Sequence, residues 1–328
     1  MPLAIGVIVA LSALGRRART GSGTGLTLAQ AAAPTWAFEV GLYAIALTLI
    51  VVLWWADVIR PGSFGRKRRD GAAGLRDVSF MPWWGWLAAA TAMFCAMVLG
   101  ASLGGAIAGS LGYAAAPPAG AGSTVVERSP AEQTLTLTGA FVAGAVTGIV
   151  LIVVLARAPD GPGPAAAGLR FRVTDAFHGL GWFLLAWPIV MVTNMTAGPL
   201  MLRFTDAPPD RLAHETLRTI VEQRGDPWVW GLVLGAAVGA PVVEEITYRV
   251  FIQSGFLRAF RSAWPAIVVT SLCFAAMHLS IADPHVVPGL FVLSVCMGVA
   301  YERTRRLGVP IAMHVLFNVV NLARVVVA

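Results

Sequence analysis

The sequence predicts an all-α membrane protein, a polytopic bundle of about eight transmembrane helices. Three observations predict it. Apolar residues make up 57% of the 328 positions and charged residues only 12%, with a mean hydropathy of +0.73. So few charges cannot cover the surface of a water-soluble domain. The apolar residues also fall into successive runs of about 20, the length that crosses hydrocarbon as a helix. Tryptophans, finally, cluster at run ends, at Trp54-Trp55 and at Trp83, Trp84 and Trp86, where an aromatic belt meets the membrane–water interface.

Taken in order, residues 2–14 are apolar but too short to span. Arg16, Arg17 and Arg19 follow them, the reverse of a signal peptide's charge order. Residues 20–35 are rich in Gly, Thr and Ala. The expected spans are 37–57, 82–106, 136–156, 177–200, 228–256, 263–281, 287–302 and 308–326. Residues 106–135 read as a loop. Pro188 is expected to kink the fourth span. Within 207–225, Leu212, Leu217, Ile220 and Val221 recur at helical spacing, which predicts a short amphipathic surface helix. The linker Pro159-Asp160-Gly161-Pro162-Gly163-Pro164 and the small residues after it break the helical pattern. These features divide the chain into a loose segment over 1–36, accessory membrane helices over 37–168 and a chemistry-bearing membrane domain over 169–328.

The net charge of +7 reads as loop anchoring on anionic lipid. No basic patch interleaved with aromatics supports nucleic-acid binding. Cys95, Cys273 and Cys296 all lie in apolar runs without CxxC spacing, so neither a disulfide framework nor a zinc knuckle is expected. Arg60, the Arg66-Lys67-Arg68-Arg69 cluster, Arg76, Arg157, Arg170, Arg172, Arg258, Arg261, Arg303, Arg305 and Arg306 fall on one side of the expected spans. The positive-inside rule makes that side cytoplasmic. With eight spans both termini are then outside, an orientation that the Arg16–Arg19 cluster opposes.

The chemistry concentrates in the last third. Glu244, Glu245 and Arg249 sit inside the apolar fifth span, where each charge costs about 2.5–3.5 kcal/mol on insertion scales. Glu245 and Arg249 are four apart and share a face. Glu244 is turned about 100° from Glu245, so one carboxylate can be held by Arg249 while the other points elsewhere. The sixth span carries His278. The eighth carries His314 and Asn318, again four apart. Each feature alone reads equally as a structural ion pair, a packing histidine or interhelical glue. Together they form one constellation of two carboxylates, two imidazoles and an amide. His214 and His285 fall in polar loops, and His178 opens a span with no polar neighbour at helical spacing. Asn194 and Thr196 can line a cavity without being tied to chemistry.

At 1.5 Å per residue from the expected cytoplasmic helix ends, Glu244 lies roughly 18–20 Å deep, His278 roughly 22 Å and His314 nearer 10 Å. These depths do not match.

Glu-Glu-x-x-x-Arg at 244–249, Phe-x-x-x-His at 274–278 and His-x-x-x-Asn at 314–318 resemble the three signature motifs of the CPBP intramembrane proteases. That family includes CAAX prenyl endopeptidases of the Rce1 type and bacteriocin-processing and immunity-type proteins. The segment Gly298–Thr304 also resembles the family's stretch before the last motif. The resemblance covers about 228–321. Val250 departs from it, standing where the family usually has glycine. The resemblance implies that Glu244 is a general base working with His278 on a water, that Arg249 fixes Glu245, and that His314 and Asn318 face the scissile carbonyl as oxyanion partners.

Peptide hydrolysis needs such an activated water, a proton donor for the leaving amine and oxyanion stabilisation. No serine or cysteine stands in a recognisable nucleophile arrangement. Glu244, His278 and His314 could also supply three protein ligands to Zn²⁺, although the helical HExxH signature is absent. The expected partners are membrane lipid and a membrane-associated peptide or protein substrate, prenylated or otherwise anchored. The rival reading is a non-enzymatic membrane protein, an immunity factor, scaffold or proton or ion carrier, since intramembrane Glu and His also build proton relays.

Overall fold

The structure is a computed structural model that describes residues 28–65, 74–113, 128–157, 168–201 and 215–327. The apolar stretch 2–14, the arginines at 16–19, the 66–69 cluster, His214 and nearly all of the 158–168 linker lie outside the described residues. The described residues form an all-α bundle: α1 Leu28–Trp55, α2 Trp83–Ser110, α3 Pro130–Ala156, α4 Asp175–Met201, α5 Glu215–Glu222, α6 Val229–Phe260, α7 Ala263–Met277, α8 Val287–Thr304 and α9 Gly308–Val327.

Six of these, α1 to α4, α6 and α8, contain segments long and apolar enough to cross a membrane. The chain is an integral multi-pass membrane protein. Helices α7 and α9 are shorter apolar helices, so the eight expected spans resolve into six full-length and two short ones. Helix α1 begins before the expected start at 37, and α3 begins at Pro130 rather than 136. The earlier start of α3 has a local cause. Ser129 caps it by accepting from Glu132 N at 3.2 Å, with Pro130 at the first helical position, a combination that suits a helix N-terminus. Helix α4 runs through both Pro188 and Pro199. The short α5 buries Ile220 against Val229, Leu232 and Leu322.

Helices α2 and α3 form a hairpin packed on α6, while α4 packs against α8 and α9. A Cβ on Gly100 or Gly104 would land inside contact distance of the α3 backbone at Gly139 and Leu135, and one on Gly139 would strike the Gly100 carbonyl. The Gly100-x-x-x-Gly104 pair thus lets two backbones touch, which is how membrane helices associate without a hydrophobic driving force. Further along α3, Gly144 and Gly148 receive Val243 and Ile246 of α6. Helix α2 contributes the fully buried Trp86 and Met93. By contrast, α1 leaves most of its surface outside the bundle, touching α4 where the Tyr43 and Thr196 hydroxyls share a 2.7 Å hydrogen bond.

Helix α6 is not a regular α-helix. Two π-helical segments, Gly235–Gly239 and Ile246–Ile252, flank the turn that carries Glu244 and Glu245. Such widened turns recur at functional sites because they re-aim side chains and free backbone groups.

The mismatch in depth disappears in the structure. Gln253 of α6 bonds Gly298 O and Glu302 near the end of α8. Helix α6 continues from Gln253 to Phe260, about 10 Å further. It therefore projects past the level at which α9 begins, and His314 comes level with Glu245.

Contacts cross the 158–168 linker. Arg303 donates to the carbonyls of Asp57 and Val58 and to Ser63, and its guanidinium lies 3.9 Å from the Phe64 ring centroid. Arg305 donates to Gly74 O and Leu75 O. Arg306 pairs with Asp175 at the start of α4.

The α2–α3 contact predicts that Gly104→Val cannot be absorbed by rotamer changes. Its cost should reach about 1–3 kcal/mol, the usual range for overpacking, read as a lowered unfolding midpoint of the purified protein in detergent. Gly109→Val, whose Cβ would meet nothing, should be tolerated.

Candidate active site

The site is built on the middle of α6. Glu245 and Arg249 are both fully buried and joined by Arg249 Nε to Glu245 Oε2 at 2.8 Å. Each of the other two guanidinium nitrogens also has a partner. Nη1 donates to Gln253 Oε1 at 3.2 Å and Nη2 to Ser294 Oγ of α8 at 2.8 Å. A fork of donors in fixed geometry suits this task, since each contact constrains the others.

The second oxygen of Glu245 faces α9. His314 Nδ1 lies 3.0 Å from Glu245 Oε1. A carboxylate held by an arginine can only accept, so Nδ1 carries the proton and His314 turns Nε2 inward. There Nε2 stands 3.9 Å from Glu244 Oε2. That gap is too long for a direct hydrogen bond and invites a bridging water.

Glu244 is placed as the 100° offset requires. Its side chain is 23% exposed, whereas that of Glu245 is sealed. Its Oε2 is buried and has no hydrogen-bond partner among the described residues. An orphaned carboxylate oxygen beside a histidine is costly unless something is meant to sit there.

His278 caps the C-terminus of α7, and its Nδ1 donates to Phe274 O at 2.8 Å. Its other ring nitrogen, Nε2, is therefore the one left to act. The Phe274 ring lies between the two imidazoles, with centroids 4.7 Å from His278 and 5.8 Å from His314. Helix α7 is short and ends at His278. Asn318 sits one turn beyond His314, and its Nδ2 donates to Ala236 O at 2.8 Å, inside the first π-helical segment of α6. One amide hydrogen is spent there and one remains.

The structure thus brings Glu244, Glu245, Arg249 and His314 into direct succession, sets His278 beside them across Phe274, and holds Asn318 against the π-turn. His178 is exposed and bonded to Thr174 O, and His285 pairs with Asp283 in the loop before α8. Neither joins the group. Asn194 rests against Gly289 with its Oδ1 unpartnered, and Thr196 bonds Val192 O. The donor atoms of Glu244, His278 and His314 have the chemistry of a zinc site. Among the described residues, however, no three His, Cys, Asp or Glu side chains gather as metal ligands.

Four polar residues packed behind the site are not picked out by the motif spacing: Gln253, Ser294, Glu302 and Arg76. Gln253 Nε2 donates to Glu302 Oε1 at 2.8 Å. Glu302 in turn receives Arg76 Nε on both oxygens at 3.0 Å and Nη2 at 2.8 Å. Arg76 also donates to Ser254 Oγ and lies over the Tyr301 ring at 4.3 Å. Burial works against its charge, but the adjacent Glu302 carboxylate outweighs that and holds the guanidinium pKa above its ordinary value.

Residues 226–320, which contain all three motifs, match the family model of type II CAAX prenyl endopeptidase Rce1-like proteins. Among curated proteins, the membrane-embedded CAAX protease MroQ of Staphylococcus aureus (strain USA300) is 27% identical over 142 residues, 42% of this chain and 54% of that protein. The match thus spans about half the length of that relative. No solved structure matches the chain. Residues 226–320, with Glu244 to Arg249, His278, His314 and Asn318 on three packed helices, are thus similar to the Rce1-like proteins of the CPBP intramembrane protease family.

Proposed function

We propose that the chain is an intramembrane endopeptidase that hydrolyses a peptide bond in a membrane-anchored or lipid-modified peptide, using a water activated by glutamate and histidine. The observation that carries this reading is the orphaned Glu244 Oε2 facing His314 Nε2 across 3.9 Å. Glu244 takes a proton from a water held in that gap, and the water oxygen bonds to the scissile carbonyl carbon. His278, fixed by Phe274 O through Nδ1, presents Nε2 to the same water. The developing oxyanion is met by the remaining amide hydrogen of Asn318 and by His314 when its Nε2 is protonated. Collapse breaks the C–N bond, and the proton on Glu244 passes to the leaving amine. Glu245 touches none of the reacting atoms. It fixes the tautomer and orientation of His314, as a buried carboxylate does behind a catalytic histidine.

A metal-dependent form of the reading would draw on Glu244, His278 and His314. Metal analysis of the purified protein, beside cleavage with and without chelator, distinguishes the two forms. The CAAX prenyl endopeptidase type of the matching family model supports one substrate class: a peptide delivered by its lipid anchor, with the prenyl group as the first anchor to try.

The test is cleavage of fluorogenic peptides, prenylated and acylated, by the full chain in lipid vesicles. Wild type should cleave one anchored class, and Glu244→Gln should be slower by a factor of roughly 10²–10⁴ with an unchanged unfolding midpoint. A wild type that cleaves neither class, with the fold intact, would favour the non-enzymatic carrier or scaffold reading.

A second outcome separates support from chemistry. Arg249→Ala leaves Glu245 buried without its counter-charge, a loss of about 3–5 kcal/mol. Both stability and cleavage should fall. Equal unfolding midpoints for wild type and Arg249→Ala would contradict the structural role of the pair.

A further inference from the structure

The polar chain behind the site does not end at Arg249. It runs from Glu245 through Arg249 and Gln253 to Glu302, and from there to Arg76, in the loop before α2. Arg249, Gln253 and Ser254 are each fully buried, and Glu302 and Arg76 nearly so. The apparatus is more than one ion pair needs. Gln253 could satisfy its amide on Gly298 O alone, to which it already donates at 3.3 Å. Glu302 could likewise be replaced by an apolar residue together with its arginine at little cost in stability, as buried pairs often can.

What the chain does is set the side-chain orientation of Arg249. The Gln253 amide donates through Nε2 to Glu302, which turns its Oε1 toward Arg249 Nη1. With Nη1 and Nη2 both held, Nε has one place to point, at Glu245 Oε2, and Glu245 Oε1 is then left for His314. Helix α8 approaches closely enough to press on this array. A Cβ on Gly298 would stand 3.0 Å from Gln253 Oε1 and 3.3 Å from Arg249 Nη1.

We propose that Arg76 and Glu302 are positioning residues of the site: acting through Gln253 and Arg249, they set the orientation of Glu245 and hence of His314 opposite Glu244. The N-terminal half thereby contributes to catalysis by a residue far outside the segment that carries the motifs. The proposal rests on the protease reading above for its kinetic consequence, but its geometric consequence, a reoriented His314, does not.

Two variants of the full chain test it in vesicles. Arg76→Met combined with Glu302→Gln removes both charges of the pair and leaves no buried charge unpaired, so it should fold. Gly298→Ala presses on Gln253 and Arg249 and changes no charge. Both should keep KM within about twofold and lower kcat by about tenfold or more, the scale expected when reacting groups shift by a fraction of an ångström. Both should also displace the ring ¹⁵N resonances of His314 at fixed pH, identified by their loss in His314→Gln, while leaving those of the distant His285 in place. A folded double variant with wild-type kcat and unmoved His314 resonances would overturn the proposal. If wild type cleaves nothing but the His314 resonances move as stated, the protease reading fails and the positioning role stands. If wild type and Gly298→Ala cleave alike while Glu244→Gln is dead, the protease reading stands and the positioning role fails.

Discussion

Everything near the site depends on one buried ion pair. Glu245 and Arg249 are sealed from solvent in the middle of a long apolar helix, where an uncompensated charge is not tolerated. The pair persists because each of its polar atoms has work. Arg249 spends its donors on Glu245, Gln253 and Ser294, and Glu245 spends its second oxygen on His314. A carboxylate so fully used cannot also be a base. Its neighbour Glu244, turned a hundred degrees away, keeps an oxygen without a hydrogen-bond partner among the described residues, which is why we propose it as the base. Two adjacent residues of one type thus diverge in environment through helix geometry and the supply of donors.

Much of this was legible in the sequence, for reasons that can be named. Glu245 and Arg249 pair because four residues return to the same helix face, and that spacing is visible without coordinates. Gln253 continues the same row at a further four residues and could have been read from it. Glu302, an acid at the end of an apolar helix, could have been singled out, but its partner could not. Arg76 lies 226 positions away in sequence, and no periodicity links a loop to a helix end. The π-helical segments were also hidden, since no residue spacing marks them. That is why Asn318 was legible as a polar residue sharing a face with His314, while its bond to Ala236 O was not. The eight apolar runs were plain in composition, but the shortness of α7 was masked by the apolar loop residues that follow His278.

The end of α8 ties these parts together. Four residues of the stretch 302–306 reach four different places: Glu302 takes Arg76, Arg303 takes the chain over 57–63, Arg305 takes 74 and 75, and Arg306 takes Asp175. Arginine suits this work, since its planar fork donates to several carbonyls at once and stays charged when buried. The basic side of the bundle, which by sequence reads as a membrane anchor, is in the structure also an internal clamp. Segments on both sides of the linker close on it, and through Glu302 it reaches the polar row behind the site.

Glu245 holds His314 through a 3.0 Å hydrogen bond rather than merely neighbouring it. A double-mutant cycle on unfolding free energy, with Glu245→Gln, His314→Gln and the pair, measures that link directly. Residues in one hydrogen-bonded network show interaction energies of about 0.5–3 kcal/mol, while independent sites add to within about 0.5 kcal/mol. The expected coupling is at least about 1 kcal/mol, within that network range. Additive losses would show that His314 takes its position from elsewhere and that Glu245 does not hold it.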